Sequence, residues 1–107
     1  MGIEQTLNER RETHGDFGRV AKLHVELIEC FRTHSTNTWE VDYIETQMVA
    51  LDMILHKIAR IGSGKVDEID HWRDIAGYAT LVVNELEKQR ILISRPELEE
   101  IPGLEGI

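Results

Sequence analysis

The chain has 107 residues, with 12 Lys or Arg and 20 Asp or Glu, so its formal net charge at pH 7 is −8. This length accommodates one domain, and a hydrophobic content of 41% supplies one modest core. The acidic surface disfavours nucleic acids and anionic membranes as partners, and no stretch reads as a membrane span. The single cysteine, Cys30, lies among apolar residues, which indicates a buried thiol in a reducing compartment. We therefore expect a cytoplasmic protein.

Apolar residues recur at three- and four-residue steps along the chain, which predicts an all-α fold. The first predicted helix covers residues 3–13 and ends at a turn containing Gly15. Asp16 is the predicted N-cap of a second amphipathic helix, which begins at Phe17 and fades by Thr33. A polar loop follows this helix.

Two longer helices are predicted after the loop. Residues 40–61 carry a wide apolar stripe that includes Ile58 and is expected to be buried in the core. Gly62 is the predicted left-handed residue that ends the helix. The next helix reaches about Ile91, and Trp72 lies on its apolar stripe as a predicted core residue. Leu23 and Leu27 of the second helix, together with the central helix, are expected to share a core with another subunit, which predicts a homo-oligomer.

The domain organisation predicted from this pattern is one helical domain over residues 1–95. Prolines and glycines interrupt any helix beyond that point, so residues 96–107 are expected to form an acidic tail that is extended or mobile.

The short connection between the two long helices predicts that they pack antiparallel, as in a small helical bundle built on one long helix pair. In this register Arg60 faces Asp70, and Lys57 lies near Asp74. Such residues have three interpretations: structural ion pairs, contacts to an anionic ligand, or part of a metal site. The metal interpretation uses Asp52 and Asp74.

Basic residues occur in two parts of the sequence that suit a phosphate group. The run RRETHGDFG over residues 10–18 places Arg11 and His14 beside a glycine turn that opens a helix, although Asp16 is the natural occupant of that helix N-terminus. Lys57 and Arg60, with Lys65 in the glycine loop, form the second set, and His56 beside them is a further candidate contact. Tyr78 is the last candidate ligand-binding residue. The antiparallel register places it near Asp52, to within about one helical turn.

Two motifs on the long helices, HKIARI at residues 56–61 and WRDIAGYA at residues 72–79, resemble a group of small uncharacterised phage and prophage proteins. The segment RETHGDF at residues 11–17 fits the same group, and the resemblance covers roughly residues 5–88. No function is assigned to that group. The resemblance implies a phage origin and hence a location in the cytoplasm of the host cell.

The antiparallel helix pair also looks like the all-α nucleoside triphosphate pyrophosphatases of the MazG type, which bind magnesium and nucleotide phosphates with acidic residues of two facing helices. In that comparison Asp74 matches the last aspartate of the second helix motif, while His71 stands in place of a glutamate. Glu45 and Asp52 are loose counterparts of the first motif. Because magnesium prefers oxygen ligands, an imidazole at this position favours binding a nucleotide over hydrolysing it.

The function expected from the sequence is therefore the binding of a nucleotide or a nucleotide-derived phosphorylated ligand, as in the sequestration of a host defence signal, with no cofactor required. One alternative is a magnesium-dependent nucleoside triphosphate pyrophosphohydrolase. A protein-interaction module is the second alternative, and the sequence leaves open whether the chain is an enzyme.

Overall fold

The computed structural model describes residues 2–94, except for the side chains of residues 12–14 and 94. The predicted acidic tail at residues 96–107 lies outside this range. All regular structure in the described range is helical, which confirms the all-α prediction. The helices are α1 (Ile3–His14), α2 (Phe17–His34), α3 (Trp39–Asp42), α4 (Glu45–Ser63) and α5 (Ile69–Ser94).

The start of α2 confirms the predicted N-cap. The Asp16 side chain accepts a hydrogen bond from the backbone N–H of Arg19 at 3.3 Å, and its carbonyl accepts one from the N–H of Val20 at 2.9 Å. These bonds satisfy N–H groups that have no partner within the helix itself. Val20, the first inward-facing residue of α2, is buried.

The prediction of one helix over residues 40–61 was wrong at its start, because the chain turns between α3 and α4. Tyr43 and Ile44 have extended backbone, and the Gln47 side chain caps α4 by accepting the Ile44 N–H at 3.0 Å. The Tyr43 ring lies 5.5 Å from that of Trp39 and 6.1 Å from that of Phe31, measured between centroids. This aromatic cluster fixes the turn against the end of α2.

Helix α4 is central, with α2 and α5 packed against it. Lys57, near the end of α4, pairs with Asp74, near the start of α5, while Ala50 of α4 shares a groove with Val82 of α5. Facing positions therefore run in opposite directions along these two helices. The predicted facing of Arg60 and Asp70 does not appear as an ion pair, since the Asp70 carboxylate lies 3.8 Å from Arg73 on its own helix.

The end of α4 also differs from the expectation. Gly62 is helical and has no positive φ, and the helix continues to Ser63. The described residue with a positive φ is Gly15, in the turn between α1 and α2.

The core of the single chain is small. Its buried hydrophobic residues, among those described, are Val20, Ala50 and Ala59. Trp72 and Ile58, both predicted as core, are 54% and 41% exposed. The Cys30 thiol, predicted as buried, is also exposed. Within residues 2–94, none of the helices combines the length and the apolar character that a bilayer span requires.

Candidate ligand-binding site

The turn between α1 and α2 is locked against the end of α4 by Gly15. This residue is buried and has φ of 86°, a conformation that L side chains rarely adopt. A Cβ atom at this position would lie 2.6 Å from the carbonyl carbon of Ser63 and even closer to its oxygen. The close approach of these two backbones brings the end of α1 beside the last turns of α4.

A cavity of about 300 Å³ opens where these segments meet, and we call it the basic pocket. Its lining consists of Leu7, Arg10, Arg11, Gly15, Asp16, Phe17, Val20, His56 and Arg60. Residues from both basic parts of the sequence, Arg11 from the first and His56 with Arg60 from the second, thus share one cavity although 45 positions separate Arg11 from His56. Apolar side chains from α1 and α2 form the rest of the wall.

The charge of the basic pocket is opposite to that of the whole protein. Three guanidinium groups, those of Arg10, Arg11 and Arg60, line it together with one carboxylate, that of Asp16. Arg11 Nε lies 3.8 Å from Asp16 Oδ1, and both side chains are more than half exposed. Such an exposed pair is weak, so the Arg11 guanidinium can turn to an incoming anion.

His56 lies at the inner side of the basic pocket and is stacked on His24 of α2, with ring centroids 4.9 Å apart. Nε2 of His24 lies 3.2 Å from the carbonyl oxygen of Asp52 and 3.0 Å from Oδ1 of the same residue. Because the carbonyl oxygen only accepts, Nε2 of His24 carries the hydrogen. The bonds to Asp52 therefore orient the ring on which His56 rests.

Burial lowers the pKa of His56 below its ordinary value, and the neighbouring Arg60 guanidinium lowers it further. His24 and Lys57 act in the same direction, whereas the Asp52 carboxylate raises this pKa. Near neutral pH the imidazole is consequently uncharged in the empty pocket. A bound anion would favour its protonated form.

Comparison with known proteins assigns the sequence to a family. A family model described as "Domain of unknown function (DUF6378)" matches residues 3–86. The chain belongs to the DUF6378 family. No curated protein and no solved structure matches the chain. The matched range of this DUF6378 chain contains every residue that lines the basic pocket.

The structure brings three of the predicted ligand-binding residues of the DUF6378 chain together in the basic pocket, namely Arg11, His56 and Arg60. His14 belongs to the same turn, but its side chain is outside the described part. Lys57 does not line the pocket: it is buried, and its Nζ lies 2.8 Å from Asp74 Oδ2. Tyr78 is half-buried on α5 and is likewise absent from the lining.

Each of the two predicted metal ligands already pairs with a side chain of another helix. Asp52 bonds to His24 of α2, whereas Asp74 of α5 pairs with Lys57. A hydrogen bond from Lys57 lowers the pKa of Asp74, with smaller contributions from the charges of Lys57, His71 and Arg60. In the described part of the chain, no group of three or more His, Cys, Asp or Glu side chains is arranged to hold a metal ion.

Sequence reasoning missed part of the site. Arg10 and Phe17 line the basic pocket: both belong to the run RRETHGDFG, whose two arginines suit a phosphate, but only Arg11 and His14 were selected from it as ligand contacts. His24 was also missed, although it lies four residues after the buried Val20 and thus on the inward face of α2. A polar residue on that face indicates a partner inside the fold.

Proposed function

We propose that the chain binds a small phosphorylated molecule, a nucleotide or nucleotide derivative, in the basic pocket and holds it without hydrolysis. The observation that carries the proposal is the convergence of Arg10, Arg11 and Arg60 with His56 on one cavity. Guanidinium groups make bidentate, charge-assisted hydrogen bonds to phosphate oxygens. In a protein of net charge −8, a cavity lined by three guanidinium groups is a local reversal of charge that attracts anions.

The size and apolar wall of the pocket support a ligand of nucleotide dimensions. A volume of about 300 Å³ lies at the lower end of the range for small-molecule sites, about 300–1,000 Å³. The Phe17 ring, 82% exposed at the rim, offers a surface on which a base can stack. Leu7 adds apolar contact on the α1 side.

Capture is favoured over hydrolysis because the pocket presents cations without needing a metal to neutralise the phosphates. The two carboxylates assigned to magnesium, Asp52 and Asp74, already have His24 and Lys57 as partners. The finer parts of the proposal are a MazG-like arrangement of α4 and α5, a phage origin, a cytoplasmic location in the host, and a host defence signal as ligand. Their support is the resemblance described above.

The experiment that tests the proposal is a thermal-shift screen of nucleoside mono-, di- and triphosphates and cyclic nucleotides, with and without Mg²⁺. A ligand present at 100 times its Kd adds about 2.7 kcal/mol to the free energy of unfolding. For a domain of this size that corresponds to a rise in Tm of several degrees. Intact ligand recovered after denaturation indicates capture, and Mg²⁺-dependent cleavage indicates hydrolysis.

Matched variants assign the binding to the pocket. Arg60→Ala and Arg10→Ala should each weaken binding by roughly tenfold or more, because each removes a charge-assisted hydrogen bond of about 1.5–3 kcal/mol. Arg19→Ala is the control, since Arg19 is exposed on α2 and does not line the pocket. If all three variants bound equally well, or if no nucleotide raised the Tm, the proposal would be rejected.

A further inference from the structure

Helix α5 carries an exposed apolar stripe that the single chain leaves uncovered. Its positions alternate at steps of four and three residues and form what we call the seam: Trp72, Ala76, Ala79, Val83, Leu86 and Arg90. All six residues are exposed, with Trp72 at 54% and Val83 at 51%. Ile69 and Ile93 extend the seam at its two ends and are 60% and 77% exposed.

The spacing of the seam is that of a coiled coil. Apolar residues at alternating steps of three and four have a period of 3.5, which keeps them along one line facing a partner helix. The side of α5 that packs on α4 is a different line, marked by His71, Ile75 and Val82, which are all buried or half-buried. Helix α5 thus has two apolar lines, of which the fold of one chain uses only one.

We propose that the seam is a homodimer interface, in which α5 packs antiparallel against α5 of a second copy. An antiparallel pair centred between residues 80 and 82 joins positions whose numbers add to about 162. Small residues then meet larger ones, with Ala79 opposite Val83 of the second copy and Ala76 opposite its Leu86. Such alternation of small and large side chains lets two helices interdigitate.

The polar positions of the seam fit the same register. Arg90, its one charged member, comes opposite Trp72 of the second copy, where a guanidinium can stack on the indole face. Beside the seam, Arg73 comes opposite Glu87 of the second copy, and a two-fold axis repeats this pair of opposite charges. A foreign helix would have to reproduce this pattern, whereas a second copy already has it.

The length of the seam sets the width of surface that a dimer would have to bury. From Ile69 to Ile93 the seam is about 36 Å long at 1.5 Å per residue. A standard interface takes about 800 Å² from each partner, which at this length requires a width of about 22 Å. Two packed helices provide that width, and an apolar groove of about 360 Å³ with Leu51 and Ile54 of α4 in its lining adjoins the seam at Ala79.

The small core of one chain gives a reason for association. The buried hydrophobic residues among those described are one valine and two alanines. Hydrophobic stabilisation is roughly proportional to the apolar area removed from water, so this small core contributes little of it. Covering the seam with a second copy removes more apolar area from water and adds to that stabilisation.

The test is the mass of the full chain in solution, measured by light scattering after gel filtration. We expect twice 12.3 kDa, or 24.6 kDa, at micromolar concentrations. Val83→Asp should yield a helical monomer with a dimer Kd raised at least about 100-fold, because each of two symmetry-related layers would bury an unpaired carboxylate at a cost of about tenfold or more. Leu81→Asp is the matched control, since Leu81 is 58% exposed and lies off the seam.

Charge reversal tests the register independently. Arg73→Glu and Glu87→Arg should each weaken the dimer about tenfold, and a mixture of the two variants should form a heterodimer, because each then offers the charge the other needs. A monomeric parent chain or a dimeric Val83→Asp variant would overturn the proposal. So would equal losses of dimer affinity in the variants at positions 81 and 83, or a mixture of the charge-reversed variants that forms no heterodimer. Loss of helix content in Val83→Asp would also overturn it, because the residue would then belong to the core of one chain.

Discussion

The ammonium of Lys57 lies 2.8 Å from the carboxylate of Asp74 and joins α4 to α5 across their contact. The two partners differ in environment, since the Lys57 side chain is 11% exposed and that of Asp74 is 47% exposed. Removing one partner is therefore not equivalent to removing the other.

We predict that Asp74→Ala lowers the Tm more than Lys57→Met does. The aspartate variant leaves a buried ammonium without its anion, whereas the lysine variant replaces it with an apolar chain of similar length and leaves the carboxylate in contact with water. Thermal unfolding of both variants and of the double variant measures the difference. Equal losses in the two single variants would contradict this account of the pair.

The pair also separates a structural lysine from a ligand-binding one. Lys57 was predicted as a ligand contact, but it does not line the basic pocket. Lys57→Met should therefore change the ligand Kd by less than about threefold, in contrast to Arg60→Ala. A loss of affinity as large as that of the Arg60 variant would restore Lys57 to the site.

Gly15→Ala should be strongly destabilising, by about 2 kcal/mol or more, because it adds backbone strain at positive φ and a clash with Ser63. The matched control is Gly77→Ala, since a Cβ at Gly77 meets nothing within 4 Å and the residue lies within α5. That variant should be about 0.5–1 kcal/mol more stable than the parent chain. Urea unfolding of the two variants should displace the midpoint in opposite directions.

Anion binding in the basic pocket should tighten as the pH falls from neutral toward the pKa of His56, which is lowered below the ordinary histidine value. His56 faces His24 of α2 and Asp52, Lys57 and Arg60 of its own helix, and it shares the pocket with Arg10, Arg11 and Asp16. The pKa of His56 is lowered in the ligand-free protein, and a bound anion would raise it. The complex therefore takes up a proton on the imidazole, and the affinity for the anion increases at lower pH.

Sulfate is the suitable probe, because it stays a dianion over this range. Titration calorimetry at several pH values should show tighter binding and net proton uptake as the pH falls below neutral. His56→Gln should remove the pH dependence, whereas His34→Gln, at the exposed end of α2, should preserve it. A parent chain whose sulfate affinity did not change with pH would exclude His56 as the coupled group.

The helices and their caps could be predicted where local chemistry decides them. Asp16 directly precedes an amphipathic run, and the helix begins there as expected. The contact of Lys57 with Asp74 also followed from the register of two helices joined by a short loop. Both results depend on residues that are near one another in sequence or are related by a single loop length.

The remainder depended on contacts between distant segments. The break before α4 comes from the packing of Tyr43 on Phe31, which no local pattern shows. Trp72 was assigned to the core because it lies on an apolar stripe, and it is exposed in the single chain. Such a stripe shows that a helix face suits burial, but it does not show whether the same chain covers that face. The basic pocket could not be assembled from sequence, because the approach of Gly15 to Ser63 brings together residues whose spacing carries no periodic signal.

The position of α1 at the edge of the fold has a consequence for its motion. The described side chains of this helix are exposed, and Leu7, Arg10 and Arg11 reach the rest of the molecule chiefly at the basic pocket. Helices with few buried contacts open locally at low free-energy cost, so the amide hydrogens of α1 should exchange with solvent sooner than those of α4. An anion bridging Arg11 and Arg60 would tie this helix down and slow its exchange, while α5 would exchange as before. The rate of amide exchange in α1 would thus report whether the pocket holds an anion.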